Sequence, residues 1–319
     1  MKKILITGAI GQIGSELVVA LRKKYGEGNV IATDIRMPSD LELRDSGPFE
    51  FLDVTDEHHI TRVMQQYEID TIYHMAAILS AIGETRPGIA WQVNMGGLYN
   101  MVEAARQYKC KMFFPSSIGA FGPSTPPKNT PQMTIMRPET MYGVTKLSGE
   151  LLANYYFKRF SVDTRSLRFP GLISYETEPG GGTTDYAVAI FFEAIRHGKY
   201  TCYLREDSSL DMMYMPDAIK AMIELMEADS SNLIHRNAYN VTAMHFTPSI
   251  LADEIRKHLP EFSIDYDVDP VRQAIADSWP DSLDDSAARS EWGWNPDFDM
   301  ASMVKDMIEK ISKRLKDKK

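Results

Sequence analysis

The stretch Lys3-Ile4-Leu5-Ile6-Thr7-Gly8-Ala9-Ile10-Gly11-Gln12-Ile13-Gly14-Ser15 decides the fold. Lys3–Thr7 is an apolar run of strand length, and the apolar residues of Ser15–Lys24 recur at helical spacing. Between them Gly8, Gly11 and Gly14 form GxxGxxG. Glycines at such a junction allow a tight turn and let the backbone approach a pyrophosphate, whose charge then faces a helix N-terminus. The triplet alone also fits an ordinary strand-to-helix turn. Its context favours a dinucleotide: it follows a strand, opens a helix and precedes Asp34 by twenty residues. Asp34 ends a second strand-like run, Val30–Asp34. A carboxylate there can accept from the adenosine ribose hydroxyls and would repel a 2′-phosphate, which favours NAD over NADP. Arg36, close by, has the opposite tendency. A surface turn is the plainer reading of Asp34.

Strand-like and helix-like segments alternate outward from this point. Glu50–Leu52 is a short third strand, Thr55–Tyr67 a helix and Thr71–Met75 a strand. Asn94–Tyr108 is helical, Lys111–Pro115 extended, Gly143–Arg159 helical and Thr164–Arg168 extended. This alternation predicts an α/β fold with a doubly wound, Rossmann-type parallel sheet. After Pro170 the pattern shortens, with prolines at 216, 248, 260, 270, 280 and 296. Helices are expected around Ala187–His197, Pro216–Ala228 and Pro248–Leu259. Glu178–Gly182 reads as a flexible loop. The expected division is a dinucleotide-binding domain over 1–170 and a smaller C-terminal α/β substrate lobe over 171–319, with some segments returning to the first core.

Bulk properties narrow the function classes. The net charge is −9 over 319 residues, which disfavours electrostatic binding to nucleic acid. The Lys-rich end, Lys313–Lys319, reads as a solvated helix terminus. The chain has two cysteines, Cys110 and Cys202, without CxxC or metal-ligand spacing, so reduced structural thiols are expected and no metal. The apolar run near Met1 is too short for a signal segment and no stretch reaches membrane-spanning length. A cytoplasmic protein is the expectation.

Tyr142-Gly-Val-Thr-Lys146 carries the second chemical signal. Residues four apart share a helix face. A lysine ammonium beside a phenol favours the phenolate, lowering its pKa from about 10. Such a tyrosine can take a hydroxyl proton while hydride leaves the adjacent carbon. YxxxK also occurs by chance on exposed helices. It gains meaning from Pro115-Ser116-Ser117-Ile118-Gly119, which follows a strand at the sheet edge where ligands bind in such folds. A serine there can hydrogen-bond a reacting oxygen, or simply cap the strand end.

GxxGxxG, His74-Met-Ala-Ala77, Asn94, Ser117 and Tyr142-xxx-Lys146, in this order, resemble the extended short-chain dehydrogenases. The resemblance implies Tyr142, Lys146 and Ser117 as catalytic residues. It implies cofactor contacts from Gly8, Gly11, Gln12, Ile13, Gly14, Asp34, Asp53, Val54, Ala76, Ala77, Asn94, Tyr142 and Lys146. A narrower likeness covers Ala77-Ile-Leu-Ser80-Ala-Ile-Gly-Glu84, Pro179–Ala187, Asp277-Ser-Trp279-Pro280 and Asp284–Trp294. These segments resemble the short-chain type of L-threonine 3-dehydrogenase. That family oxidises the side-chain alcohol to 2-amino-3-oxobutanoate with NAD, and a homodimer formed through paired helices is implied. The helices would be Asn94–Tyr108 and Gly143–Arg159, the latter bearing Leu147, Leu151, Tyr155 and Tyr156.

An amino-acid substrate needs partners for both charged ends. Asp185 can pair with an ammonium, Ser80 and Thr184 can donate to a carboxylate, and Trp279 can close over a methyl group. Their plainer readings are loop bracing, helix start, capping and core. Met212 and Met213 read as core. The rival function is a nucleotide-sugar epimerase or dehydratase using the same Ser117, Tyr142 and Lys146. A pyrophosphate-bearing substrate calls for cations in the second lobe, yet Gly171–Asp211 holds only Arg196, Lys199 and Arg205. A dehydratase also calls for an acid beside the serine, where Ile118 stands. A non-catalytic NAD-binding regulator is the remaining alternative, and the presence of both Tyr142 and Lys146 argues against it.

Overall fold

A strand covered on both faces has no polar side, so it reads as a continuous apolar run. Such runs form the centre of the fold in the computed structural model, which describes residues 1–38, 41–179 and 182–317. β1 (Ile4–Thr7) and β2 (Val30–Asp34) are buried at every residue, and so is β4 (Thr71–His74). β3 (Phe49–Phe51) is a half-exposed edge strand. β5 (Lys111–Ser117) and β6 (Thr164–Phe169) extend the sheet the other way, and β10 (Tyr239–Asn240) ends it. The order is β10-β6-β5-β4-β1-β2-β3. β1 runs parallel to both neighbours, with Thr7 opposite Thr33 and His74. The glycine turn, Asp34, His74 and Ser117 therefore emerge at the same C-terminal edge.

The chain divides into two compact units. The first comprises Met1–Ala120, Pro138–Arg168 and Ile219–Tyr239; the second comprises Phe121–Arg137, Phe169–Ala218 and Asn240–Lys319. In the first, the sheet carries α1 (Gln12–Tyr25), α2 (Leu41–Asp45), α3 (Glu57–Tyr67), α4 (Ser80–Thr85), α5 (Pro87–Trp91), α6 (Leu98–Tyr108) and α7 (Met141–Phe160). One core cluster joins Leu5, Ile31, Ile72 and Phe114 of the sheet to Val63, Val102 and Ala153 of the helices. Two helix boundaries have visible causes. Asp56 accepts from His58 N at 2.8 Å to start α3, and Thr140 accepts from Gly143 N at 3.1 Å to start α7. Buried Arg165 donates to Leu225 O and Ala228 O, at 2.5 and 2.8 Å, satisfying carbonyls where α9 (Met215–Glu227) ends.

The second unit has its own core. β7 (Gly171–Ile173), β9 (Leu210–Tyr214) and β11 (Met244–Phe246) form one small sheet; β8 (Lys199–Cys202) and β12 (Ser263–Tyr266) form another. α8 (Tyr186–His197), α10 (Pro248–Arg256), α11 (Pro270–Asp277), α12 (Ser286–Trp292) and α13 (Met300–Asp317) complete it. Phe191, Leu210, Met212, Ile255 and Met307 are among its buried residues, and Met213 is equally inaccessible.

The expected helix over Asn94–Tyr108 differs at its start. Residues Gln92–Gly97 form a π-turn that leads into α6. Cys110 and Cys202 are free and buried, and burial pushes their thiols up to about 12 and about 11. Among the described residues no helix is long and apolar enough to cross a membrane.

Candidate active site

Gly8 sits at φ +66°, and a Cβ there would lie 2.7 Å from Ala76 N. A Cβ on Gly14 would lie 2.2 Å from Gly8 O. Both positions therefore exclude a side chain, and the turn folds tightly against the end of β4. Gly11 donates to Gly8 O at 3.1 Å and serves as the N-cap of α1 without a side chain to offer the helix. The first turn, Gln12-Ile13-Gly14-Ser15, has no acidic residue. These features fit an anionic group at the helix N-terminus. Asp34 is buried beside the turn, where its Oδ2 accepts from Ile10 N and its Oδ1 from Arg36 N, each at 3.3 Å. The carboxylate is thus fixed at the turn by long backbone bonds, a suitable acceptor for a ribose diol. The Arg36 residue is exposed.

The other expected cofactor residues line the same unit. Asp53 Oδ1 accepts from Thr55 N at 2.9 Å and Thr55 Oγ1 at 2.7 Å, which closes a turn. Val54 packs against Gly97, and its carbonyl accepts from Asn100 at 3.1 Å. Ala76 and Ala77 line a small cleft with His74, Asn94, Pro115, Thr145 and Lys146. Asn94 latches that cleft. It accepts from Ile78 N at 2.7 Å and donates to Ile78 O and Thr145 Oγ1, both at 3.1 Å. Its side chain thereby acts on the protein backbone. Thr7 Oγ1 bonds His74 Nδ1 at 2.9 Å and accepts from Ala76 N at 3.3 Å. Burial, helped by the Lys146 charge, pushes His74 down to about 3, so it is a neutral structural imidazole.

Ser117, Tyr142 and Lys146 come together at the end of β5 and the start of α7. The Tyr142 phenol hydrogen-bonds Ser117, whose Oγ also accepts from Gly119 N at 3.1 Å. Lys146 Nζ lies 5.3 Å from the Tyr142 ring centre and donates to Pro115 O at 2.8 Å. The expectation of a lowered tyrosine pKa is not met by the protein's own groups. Burial pushes Tyr142 up to about 12, partly offset by the Ser117 hydrogen bond, and burial lowers Lys146 to about 8. Desolvation disfavours each charged form, and at this separation it outweighs the mutual attraction. At neutral pH the pair is mainly phenol and ammonium.

Ser80, the first residue of α4, is buried in the first unit. Thr184, Asp185 and Trp279 belong to the second. Thr184 packs against Gly171, where an added Cβ would come within 2.8 Å of it. Asp185 Oδ2 accepts from Gly182 N at 2.8 Å, and Tyr203 OH donates to Gly182 O at 2.9 Å. Trp279 is partly buried against that unit's core. Gly180 and Gly181 of the expected flexible loop lie outside the described residues. Arg196 is paired with Glu178 at 2.8 Å and Arg205 with Asp277 at 2.8 Å. Thr7, Thr145, Ser116, Glu150 and Arg168 did not stand out in sequence. Glu150 had a signal, since it continues the four-residue spacing from Tyr142 and Lys146.

Residues 4–242 match the NAD dependent epimerase/dehydratase family. The chain is 58% identical to an uncharacterized epimerase/dehydratase of Staphylococcus saprophyticus, covering 98% of this chain and 97% of the relative. It is also similar to a solved L-threonine dehydrogenase of Clostridium difficile, with 56% identity, a TM-score of 0.97 and 98% of each chain covered. A monomeric L-threonine 3-dehydrogenase of metagenomic origin shares 44% identity at a TM-score of 0.93, over 98% of this chain and 99% of its own.

The geometry at Asp34 generates a cofactor prediction. Asp34→Ala is expected to weaken NAD binding and narrow the preference over NADP, because the repelling carboxylate is gone. Titration of both cofactors by fluorescence checks it; equal affinities in the wild type would contradict the role of Asp34.

Proposed function

The chain belongs to the NAD dependent epimerase/dehydratase family, and from that premise we propose that it oxidises L-threonine to 2-amino-3-oxobutanoate. The observation that carries the chemistry is the Ser117–Tyr142–Lys146 cluster beside an uncapped, glycine-bounded helix N-terminus. The near-complete likeness to the Clostridium difficile enzyme supports threonine as the substrate. NAD, when bound, would supply the hydride acceptor. The C3–H bond of threonine breaks with hydride loss, the C3–O bond becomes a carbonyl, and the hydroxyl proton passes to Tyr142. Ser117 holds the reacting oxygen. Lys146 contributes the positive charge that favours the phenolate of Tyr142, the form able to take the proton. In this reading Thr184 and Ser80 serve the carboxylate, Asp185 the ammonium, and Trp279 the methyl group. Asp185 also braces Gly182, so it would serve substrate and loop together.

The epimerase/dehydratase name of the staphylococcal relative keeps the rival epimerase or dehydratase reading in view. Against it, Arg196 and Arg205 are held by carboxylates of their own unit. NADH absorbance decides between them: L-threonine with NAD should give NADH, and a UDP-sugar should not be turned over. Tyr142→Phe should lower kcat about 10²–10⁴-fold with NAD affinity retained. Thr184→Ala should lower kcat/KM for threonine about tenfold or more, the loss of a charged hydrogen bond worth about 1.5–3 kcal/mol. Turnover of a UDP-sugar with no threonine activity would replace this reading by its rival.

A cytoplasmic homodimer goes with the proposal. Tyr99 on α6 and Leu151 and Tyr155 on α7 expose 49%, 63% and 54% of their surface, a lateral apolar face suited to a second copy. Tyr156 instead turns inward and donates to Glu103. The metagenomic relative is described as monomeric, so the measurement is informative. Light scattering should give about twice the 36.1 kDa chain mass, and Leu151→Glu with Tyr155→Glu should halve it.

A further inference from the structure

One face of α7 holds three successive residues at the end of β5. Tyr142, Lys146 and Glu150 are four apart and share that face. The Tyr142 phenol bonds Ser117, and Lys146 Nζ donates to Pro115 O at 2.8 Å. Ser116, between them, donates its Oγ proton to Glu150 Oε1 at 2.5 Å. Glu150 is clamped in turn by Arg168 of β6, the strand beside β5. Arg168 Nε donates to Oε1 at 3.0 Å and Nη2 to Oε2 at 2.8 Å. Both side chains of this pair are 7% exposed.

A buried ion pair is weak evidence of added stability, because an apolar filling of equal volume does as well. Its value here lies in where it sits. The two-point fork fixes the carboxylate in plane and direction. The carboxylate fixes Ser116, and Ser116 lies in the backbone that presents both the Pro115 carbonyl and the Ser117 hydroxyl. Lys146 and Arg168 are both buried cations, and Glu150 offsets one of them. Few other charges face α7 near its start. His74 on β4 is neutral, Glu84 on α4 accepts from Met141 N at 2.7 Å, and Gln92–Gly97, Ile118–Ala120 and α5 contain no ionisable side chain. Farther along, Glu103 on α6 pairs with Arg106 and Arg165 on β6 pairs with Asp163, each at 2.7 Å. Lys111, at the opposite end of β5, donates to Met226 O at 3.1 Å.

We propose that Glu150 and Arg168 are positioning residues for the proton-handling centre: through Ser116 they align Ser117 and the Pro115 carbonyl with Tyr142 and Lys146, and their balanced charges set the field there. This rests on the roles proposed above for Tyr142 and Lys146. Glu150→Gln leaves Arg168 unbalanced, which eases proton loss from both groups. The ascending limb of kcat/KM against pH moves to lower pH by about one pH unit. Arg168→Gln leaves a bare carboxylate and moves the limb to higher pH. The double variant returns the limb to its wild-type position. Each single change lowers kcat about tenfold or more, through misalignment of the reacting groups. NADH affinity stays within about twofold.

The test is the pH dependence of threonine oxidation for these variants and for Ser116→Ala, which removes the bridge without changing charge. Ser116→Ala should lower kcat with the limb unmoved. Tyrosinate absorbance of each variant, minus that of its Tyr142→Phe counterpart, reads the same displacements without substrate. If wild-type protein ignores threonine, the substrate reading fails, while the tyrosine titration still decides this one. Limbs that stay together, or that move in the same direction in both single variants, overturn it. Should a single charge variant not fold, Ser116→Ala and the double variant decide: wild-type kcat in both overturns the assignment.

Discussion

The ammonium of Lys146 lies in the protein interior and donates to the carbonyl of Pro115. That bond fixes the height of α7 on β5, and the height fixes everything presented at the sheet edge. The helix can come this close because Gly143 faces the Ile118–Ala120 turn, where a Cβ would lie 2.1 Å from Gly119 O. The same docking brings the Tyr142 phenol to Ser117 and the Glu150 carboxylate to Ser116. Asn94, lining the same cleft, adds a brace through Thr145. A helix shifted by one residue would turn its chemical face by about 100° and lose all three contacts at once.

Burial makes this arrangement electrostatically tense. Desolvation pushes the Tyr142 phenol up to about 12 and pulls Lys146 down to about 8. Each group therefore resists its own charged form. His74 is likewise held neutral by burial, so Thr7 meets it as a hydrogen-bond partner without a further cation at this edge.

The sheet was legible because its strands are apolar runs, and Val30–Asp34 matches the expected strand residue for residue. The helix starts were readable to within a few residues where a capping threonine or aspartate stood. β7 was not readable, since three residues carry no period, and α13 was read only at its Lys-rich end although Met303, Val304, Met307 and Ile311 mark its buried stripe. The π-turn over Gln92–Gly97 has no pattern of its own; it lets Gly97 meet Val54, a contact decided by tertiary structure. The glycine turn and the YxxxK pair were visible because their chemistry depends on local spacing. Glu150 and Arg168 are eighteen residues apart on a helix and a strand, so only the folded structure reveals them as one unit.

The expected substrate residues differ from the proposed proton-handling ones in what supports them. Ser117, Tyr142 and Lys146 stand on a strand end and a twenty-residue helix, with a buried ion pair behind. Thr184 and Asp185 stand on a three-residue turn, where Asp185 is already engaged with Gly182 and Tyr203 holds the neighbouring carbonyls. Proton transfer tolerates little misplacement, whereas substrate charges can be met by a segment that adjusts. The Ser117–Tyr142–Lys146 cluster thus draws its order from secondary structure, whereas Thr184 and Asp185 draw theirs from bonds within a turn.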